Sequence, residues 1–164
     1  MGTVHLHHYR WLFLTAAIVL LDQFSKYVIL AQFEPYQPYQ ITAFFNITLA
    51  FNTGVAFSFL AQAQAQGWQQ WILVIVSSGV SIGVLCWLYY LPAKEQWTAA
   101  ALALILGGAI GNIIDRIIHG YVIDFLQLHI QDYYWPVFNV ADSVITIGAV
   151  MLVLEFFWPV KKQD

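Results

Sequence analysis

The sequence predicts an all-α membrane protein: four transmembrane helices, with a small β element and a short surface helix on one side and both termini on the other. Two observations lead there. Only six Lys and Arg residues occur in 164, at Arg10, Lys26, Lys94, Arg116, Lys161 and Lys162. Between them lie four apolar stretches, roughly residues 10–31, 70–91, 97–118 and 140–158, each near the ~20 residues a helix needs to cross ~30 Å of hydrocarbon. The composition agrees, at 60% hydrophobic and 9% charged with a mean hydropathy of +0.68. Such a chain has lipid for its solvent.

The first stretch begins like a secretory signal, since Arg10 precedes an apolar run from Trp11 to Leu21. The run resumes through Tyr27 to Ala31, too long for a signal core, and carries Asp22 and Lys26 one helical turn apart, so it is read as a retained span. In the first loop, Gln40 to Phe51 is rich in β-branched and aromatic residues, which favours strands. Asn52-Thr53-Gly54 follows as a turn, because Gly tolerates positive φ. Ala56 to Gln66 lacks Pro and Gly and is expected to form a short helix lying on the outer surface. The second span contains Ser and Gly but no charge, and its Cys86 is the only cysteine. No intrachain disulfide can form, and Cys86 is read as a small buried apolar residue.

Orientation follows from the loops. Residues 32–69 and 119–139 hold no Lys or Arg, whereas Arg10, Lys94 and the Lys161-Lys162 tail do, so the basic segments and both termini are cytoplasmic by the positive-inside rule. No repeat or linker divides the chain, and 1–164 reads as one integral-membrane domain. A formal charge of −3 without a basic stripe excludes a nucleic-acid partner. Val4-His5-Leu6-His7-His8 reads as a tail of incidental histidines rather than a metal site.

The polar residues of the spans collect at one level. Counting a rise of ~1.5 Å per residue from the inner anchors, Asp22 lies about 18 Å up, Asn112 about 22 Å, Asp115 about 27 Å and Asp142 about 28 Å, with Asp124 just beyond the third span. Intramembrane charges are costly and suggest function. The plainest pairing matches Asp22 with Lys26 and Asp115 with Arg116, fastening helices together. No outer Lys or Arg then remains for Asp124 and Asp142. Two such carboxylates sharing a site repel, so one is ionised while the other is protonated. The first takes a proton from water and the second gives one to the amide, which hydrolyses a peptide without metal or covalent intermediate. A rival site would gather His119 and His129 with Asp115, Asp124 and Asp142 around zinc, although no HExxH occurs and the two histidines fall in an expected loop. The alternative of another class is a small transporter or ion-path subunit using the intramembrane Asp and Lys. It would need polar groups through the depth of a span, and the inner halves hold almost none, with Glu155 the only charge. Gly79, Gly83, Gly107, Gly108 and Gly111 indicate close helix packing.

Four blocks carry a resemblance: Asp22-Gln-Phe-Ser-Lys26; Phe51-Asn-Thr-Gly-Val-Ala-Phe57-Ser; GGAIGNIIDRIIHGYVIDF ending at Phe125; and Phe138-Asn-Val-Ala-Asp142-Ser. Together they resemble the bacterial lipoprotein signal peptidases, also called signal peptidase II. The resemblance implies an aspartic endopeptidase of the bacterial plasma (inner) membrane. It would remove signal peptides from diacylglyceryl-modified prolipoproteins, cutting N-terminal to the lipidated cysteine, without cofactor or metal. Asp124 and Asp142 match the catalytic dyad. Asn52, Asn112, Arg116 and Asn139 match polar positions lining the site, Asp115 matches a supporting one, and Asp22 and Lys26 carry over as a structural pair. An outer β-cradle, a surface helix, and inhibition by globomycin-type cyclic peptides are implied as well.

Overall fold

The computed structural model describes residues 6–54 and 68–157. The elements run α1 (Leu6–Gln32), β1 (Pro38–Thr42), β2 (Phe45–Asn52), α2 (Trp68–Tyr90), α3 (Gln96–His119), β3 (Val122–Ile130), β4 (Tyr133–Tyr134) and α4 (Val140–Phe157). All four helices are long and apolar enough to cross a membrane, and their apolar spans, Tyr9–Gln32, Trp68–Tyr90, Gln96–His119 and Val140–Phe157, lie within two residues of the expected limits. The expected surface helix, His5 and the Lys161-Lys162 tail lie outside the described residues.

α3 is the central span, packed against α1, α2 and α4. Ala99, Ala101, Leu102, Ala103 and Leu106 are its buried apolar residues. Close approach depends on its glycines. A Cβ on Gly108 would overlap the Ala141 carbonyl oxygen of α4 and lie 2.7 Å from Ile145 Cγ1, and one on Gly107 would lie 2.8 Å from Ile18 of α1. Gly148 of α4 answers from the other side, its missing Cβ 2.6 Å from the Ala101 carbonyl. Without water inside the bilayer, packing of this kind is what holds helices together. Gly79 and Gly83 of α2 depart from the expectation, since a Cβ on either would meet no other element within 4 Å among the described residues. Cys86 is exposed rather than buried. Both follow from α2 burying only Val74, Ser81 and Leu88, leaving the rest of its surface to lipid.

At the end of the bundle where α1 and α3 finish and α4 starts, a four-stranded antiparallel sheet is ordered β1-β2-β3-β4. The strand-like reading of Gln40 to Phe51 resolves into a β1-β2 hairpin. The segment from His119 to Asn139, expected as loop, instead contributes β3 and β4, and Val122–Ile130 is the strand carrying Asp124. Gly120 ends α3 at φ +80° and donates its N–H to the Arg116 carbonyl at 3.1 Å, a left-handed cap that turns the chain directly into β3. Ile29, Leu49, Ile123 and Phe125 form a small core between α1 and the sheet.

Overpacking a helix contact typically costs ~1–3 kcal/mol, so Gly108→Ile is expected to lower the melting temperature in detergent or prevent folding. Gly83→Ala, on an open face, leaves it unchanged or raises it. Thermal denaturation of the purified variants checks the contrast.

Candidate active site

The site is built on two backbone junctions. Phe138, just ahead of α4, lies along β3: its carbonyl accepts the N–H groups of Phe125 and Leu126 at 3.0 and 2.7 Å, and its own N–H donates to Leu126 O at 2.9 Å. This brings Asn139 beside Asp124. Asn139 is the N-cap of α4 and Asp142 sits three residues on, in the reciprocal arrangement of a capping box. The Asp142 N–H donates to Asn139 Oδ1 at 2.9 Å, and the Asn139 N–H to Asp142 Oδ2 at 3.2 Å. The Asn139 amide nitrogen then donates to Asp124 Oδ1 at 2.7 Å. A single asparagine therefore touches both carboxylates.

The remaining oxygens are also occupied. Asn112 of α3 donates to Asp142 Oδ1 at 2.8 Å. Asn52 donates to Asp124 Oδ2 at 2.9 Å. Asn52 pairs across the strands with Val122, so Asp124 is its diagonal neighbour on the same face, within side-chain reach. Its Oδ1 accepts the Gly54 N–H at 2.8 Å, an Asx turn at φ +77° for Gly54 that fixes which end of the amide faces the carboxylate.

Below the dyad lies a charged cluster closed to solvent. Lys26 Nζ is 2.7 Å from Asp22 Oδ2 and 2.8 Å from Asp115 Oδ2, and donates to Asn112 Oδ1 at 3.1 Å. Asp115 also accepts the Ile123 N–H at 3.0 Å, and Asp22 accepts the Ala141 N–H at 2.9 Å. The expected pairing of Asp115 with Arg116 does not form. Adjacent residues on a helix point in different directions, and Lys26 takes both acids. Arg116 makes no ion pair within 4 Å among the described residues. Its Nη1 donates to Asn112 O at 3.4 Å and its buried Nε has no partner. Its charge is felt by Asp142, Asp115 and Asp124.

All nine anticipated residues thus reach one network, Arg116 least tightly. Gln23 was not anticipated, yet its side-chain amide reaches Asp115 Oδ1 at 2.9 Å and Gly111 O at 3.2 Å. Its position next to Asp22 was the available signal. The zinc grouping does not assemble: His119 stacks on Tyr121 and His129 on Tyr134, and the described residues contain no cluster of three metal-ligating side chains. Glu155, the inner charge, accepts from Thr98 Oγ1 at 2.5 Å, linking α3 to α4 rather than opening a path.

The two carboxyls have different surroundings. Asp124 is 2% exposed, and burial pushes its carboxyl up to about 6, with Asp142 adding to the rise while the Asn52 and Asn139 amides oppose it. Asp142 is half-buried.

The signal peptidase (SPase) II family profile matches residues 14–158. The chain belongs to the signal peptidase II family. It is therefore a peptide hydrolase of the aspartic type and a multi-pass membrane protein. Its relatives include the lipoprotein signal peptidases of Cellvibrio japonicus, 46% identical over 94% of this chain and 91% of that one, and of Pseudomonas aeruginosa strain PAO1, 47% identical over 90% and 87%. Among solved structures, a bacterial membrane enzyme determined by the in meso method at 1.9 Å superposes with a TM-score of 0.80 at 27% identity, covering 92% of this chain and 94% of that one. A second, at 2.3 Å, gives a TM-score of 0.76 at 26% identity.

The Asp124 titration in the free signal peptidase is expected near pH 6 by carboxyl 13C NMR. Asn52→Leu, which removes a donor that favours the ionised form, moves it upward. Because the folded value lies above the ~3.9 of an unfolded Asp, this group favours folding below about pH 4, and that contribution disappears as pH rises through about 6. A midpoint at or below 4 in the wild type would contradict the burial assigned to Asp124.

Proposed function

We propose that the protein removes signal peptides from diacylglyceryl-modified prolipoproteins, cutting on the N-terminal side of the lipidated cysteine, with Asp124 and Asp142 as its catalytic pair. One observation carries this reading: two carboxylates from different elements are held by one residue, Asp124 by the side-chain amide of Asn139 and Asp142 by its backbone N–H, and neither has a Lys or Arg ion pair among the described residues. The names of the curated relatives support the substrate class.

The unequal environments assign the roles. Asp124, with its raised carboxyl, serves as the acid, and half-buried Asp142 serves as the base. As a water oxygen bonds to the scissile carbonyl carbon, Asp142 takes the water proton and Asp124 gives its own to the carbonyl oxygen. The tetrahedral intermediate collapses as the C–N bond breaks: the leaving nitrogen takes the proton from Asp142, and Asp124 takes back a proton from one hydroxyl of the intermediate, leaving a carboxylic acid, an amine and the pair in its starting state. The pair titrates as a unit throughout. Asn52, Asn112 and Arg116 hold the extended peptide backbone, Arg116 with guanidinium donors that the fold leaves unspent.

The distribution of Lys and Arg supports a site near the outer leaflet of the bacterial plasma (inner) membrane, with both termini cytoplasmic. There the acyl chains of the substrate act as a depth gauge, bringing the scissile bond to the level of the carboxylates, so that binding is largely positioning. Globomycin-type cyclic peptides, inhibitors implied by the family resemblance, would compete for the same cleft.

Asp124→Asn and Asp142→Asn are each expected to lower kcat by ~10³-fold or more in folded protein, with the double variant little worse, because residues acting as a unit lose most of the rate at the first change. Substantial activity in either single variant would remove that residue from the chemistry. Signal-peptide release from a lipidated prolipoprotein, followed by gel shift, measures it.

Each acyl CH₂ kept in hydrocarbon contributes ~0.8 kcal/mol of anchoring, so removing the diacylglyceryl group is expected to lower kcat/KM by orders of magnitude at fixed detergent concentration. Equal cleavage of matched lipidated and unlipidated substrates would leave a membrane aspartic peptidase without lipoprotein specificity.

A further inference from the structure

Lys26 lies under the dyad without touching it, and its side chain is 2% exposed. Each of the two acids that it binds also holds one backbone amide. Asp115 holds the N–H of Ile123, the residue before Asp124; Asp22 holds the N–H of Ala141, the residue before Asp142. The two clamps come from different helices and meet at the ammonium, the one charged group that binds both, with the neutral Gln23 amide bridging them from the side at 2.9 Å to Asp115 and 3.3 Å to Asp22. The third ammonium proton goes to Asn112 Oδ1, which also accepts from Asn139 Nδ2 at 3.2 Å. Reversing the Asn112 amide would face its NH₂ toward two donors, so Lys26 and Asn139 together force that NH₂ toward Asp142.

We propose that Lys26 is a positioning residue for the dyad: its ammonium ties the clamp on β3 to the clamp on α4, fixes the separation of the two carboxylates, and orients the Asn112 amide. The proposal rests on Asp124 and Asp142 being the reacting pair. A buried ion pair that only fastens α1 to α3 could be replaced by neutral groups at little cost to the reaction. A positioning group could not, since a misplacement of about 1 Å can cost ~10²-fold in rate.

The test compares wild type, Lys26→Met combined with Asp22→Asn, Lys26→Arg, and Asp124→Asn as reference, each purified in detergent and assayed on a lipidated prolipoprotein. The double variant removes one positive and one negative charge, leaving the buried balance unchanged, and Asp22→Asn retains an acceptor for the Ala141 N–H. Expected is a protein with wild-type helicity and gel-filtration behaviour, KM within about threefold, and kcat reduced on the order of 10²-fold. Wild-type kcat in this folded variant, or an effect confined to KM, overturns the proposal. Should the double variant not fold, Lys26→Arg decides: a planar guanidinium cannot direct three donors into the space of one ammonium, so kcat is expected to fall, and wild-type kcat overturns the proposal. Full activity in Asp124→Asn would instead remove the dyad reading, a result distinct from retained activity in the Lys26 variants alone.

Discussion

An ammonium group taken out of water loses several kcal/mol of solvation that only close, well-directed acceptors restore. Lys26 meets that demand with three: Asp22, Asp115 and the Asn112 amide oxygen. The chain cannot supply these without bringing α1 against α3 at one height. The two carboxylates in turn have lone pairs to satisfy, and they take backbone N–H groups at the starts of β3 and α4. The charge cluster thereby dictates where the sheet leaves α3 and where the last span begins. The glycines of α3 make this possible, since a Cβ on Gly111 would lie 2.5 Å from Asp22 Oδ2.

Asn139 completes the connection at the next level up. As an N-cap it satisfies orphan N–H groups of α4, a common use of asparagine. The same amide reaches across to Asp124, so helix termination and dyad geometry are set by one residue. Asp142 gains from its place in the first turn of α4, where the helix dipole favours negative charge. Asp124, reached only by the side chain of that N-cap, is the more buried of the two. Two identical side chains thus acquire different surroundings from local backbone structure and burial, the kind of difference on which the proposed division into acid and base rests.

Arg116 is the counterpoint. Three carboxylates influence it and none is close enough to pair with it, because Asp115 is committed to Lys26. A half-buried guanidinium with spare donors at the rim of the site is suited to an arriving backbone carbonyl. Phe51, which precedes Asn52 in β2, packs against Tyr121 with ring centroids 4.7 Å apart.

The sequence alone determined the four spans, because the energetic cost of charge in hydrocarbon makes apolar length and Lys/Arg spacing nearly sufficient evidence. It also determined which residues gather, since helical rise places Asp22, Asn112, Asp115 and Asp142 at one height whatever the lateral packing. Lateral packing was what it could not encode legibly. Whether Lys26 or Arg116 neutralises Asp115 depends on rotation of α1 about its axis relative to α3, and the sequence order favoured the wrong neighbour. The strand carrying Asp124 was hidden for a related reason: Val122–Ile130 is stabilised by pairing with β2 some seventy residues earlier, and its apolar residues fall on both faces, so no clean alternation announced it. Gly79 and Gly83 looked like packing residues and face open space, because a small residue permits close approach without requiring it. Only the tertiary structure decided these points, since each depends on which surface meets which, and that is settled by the joint satisfaction of buried donors and acceptors across the whole bundle.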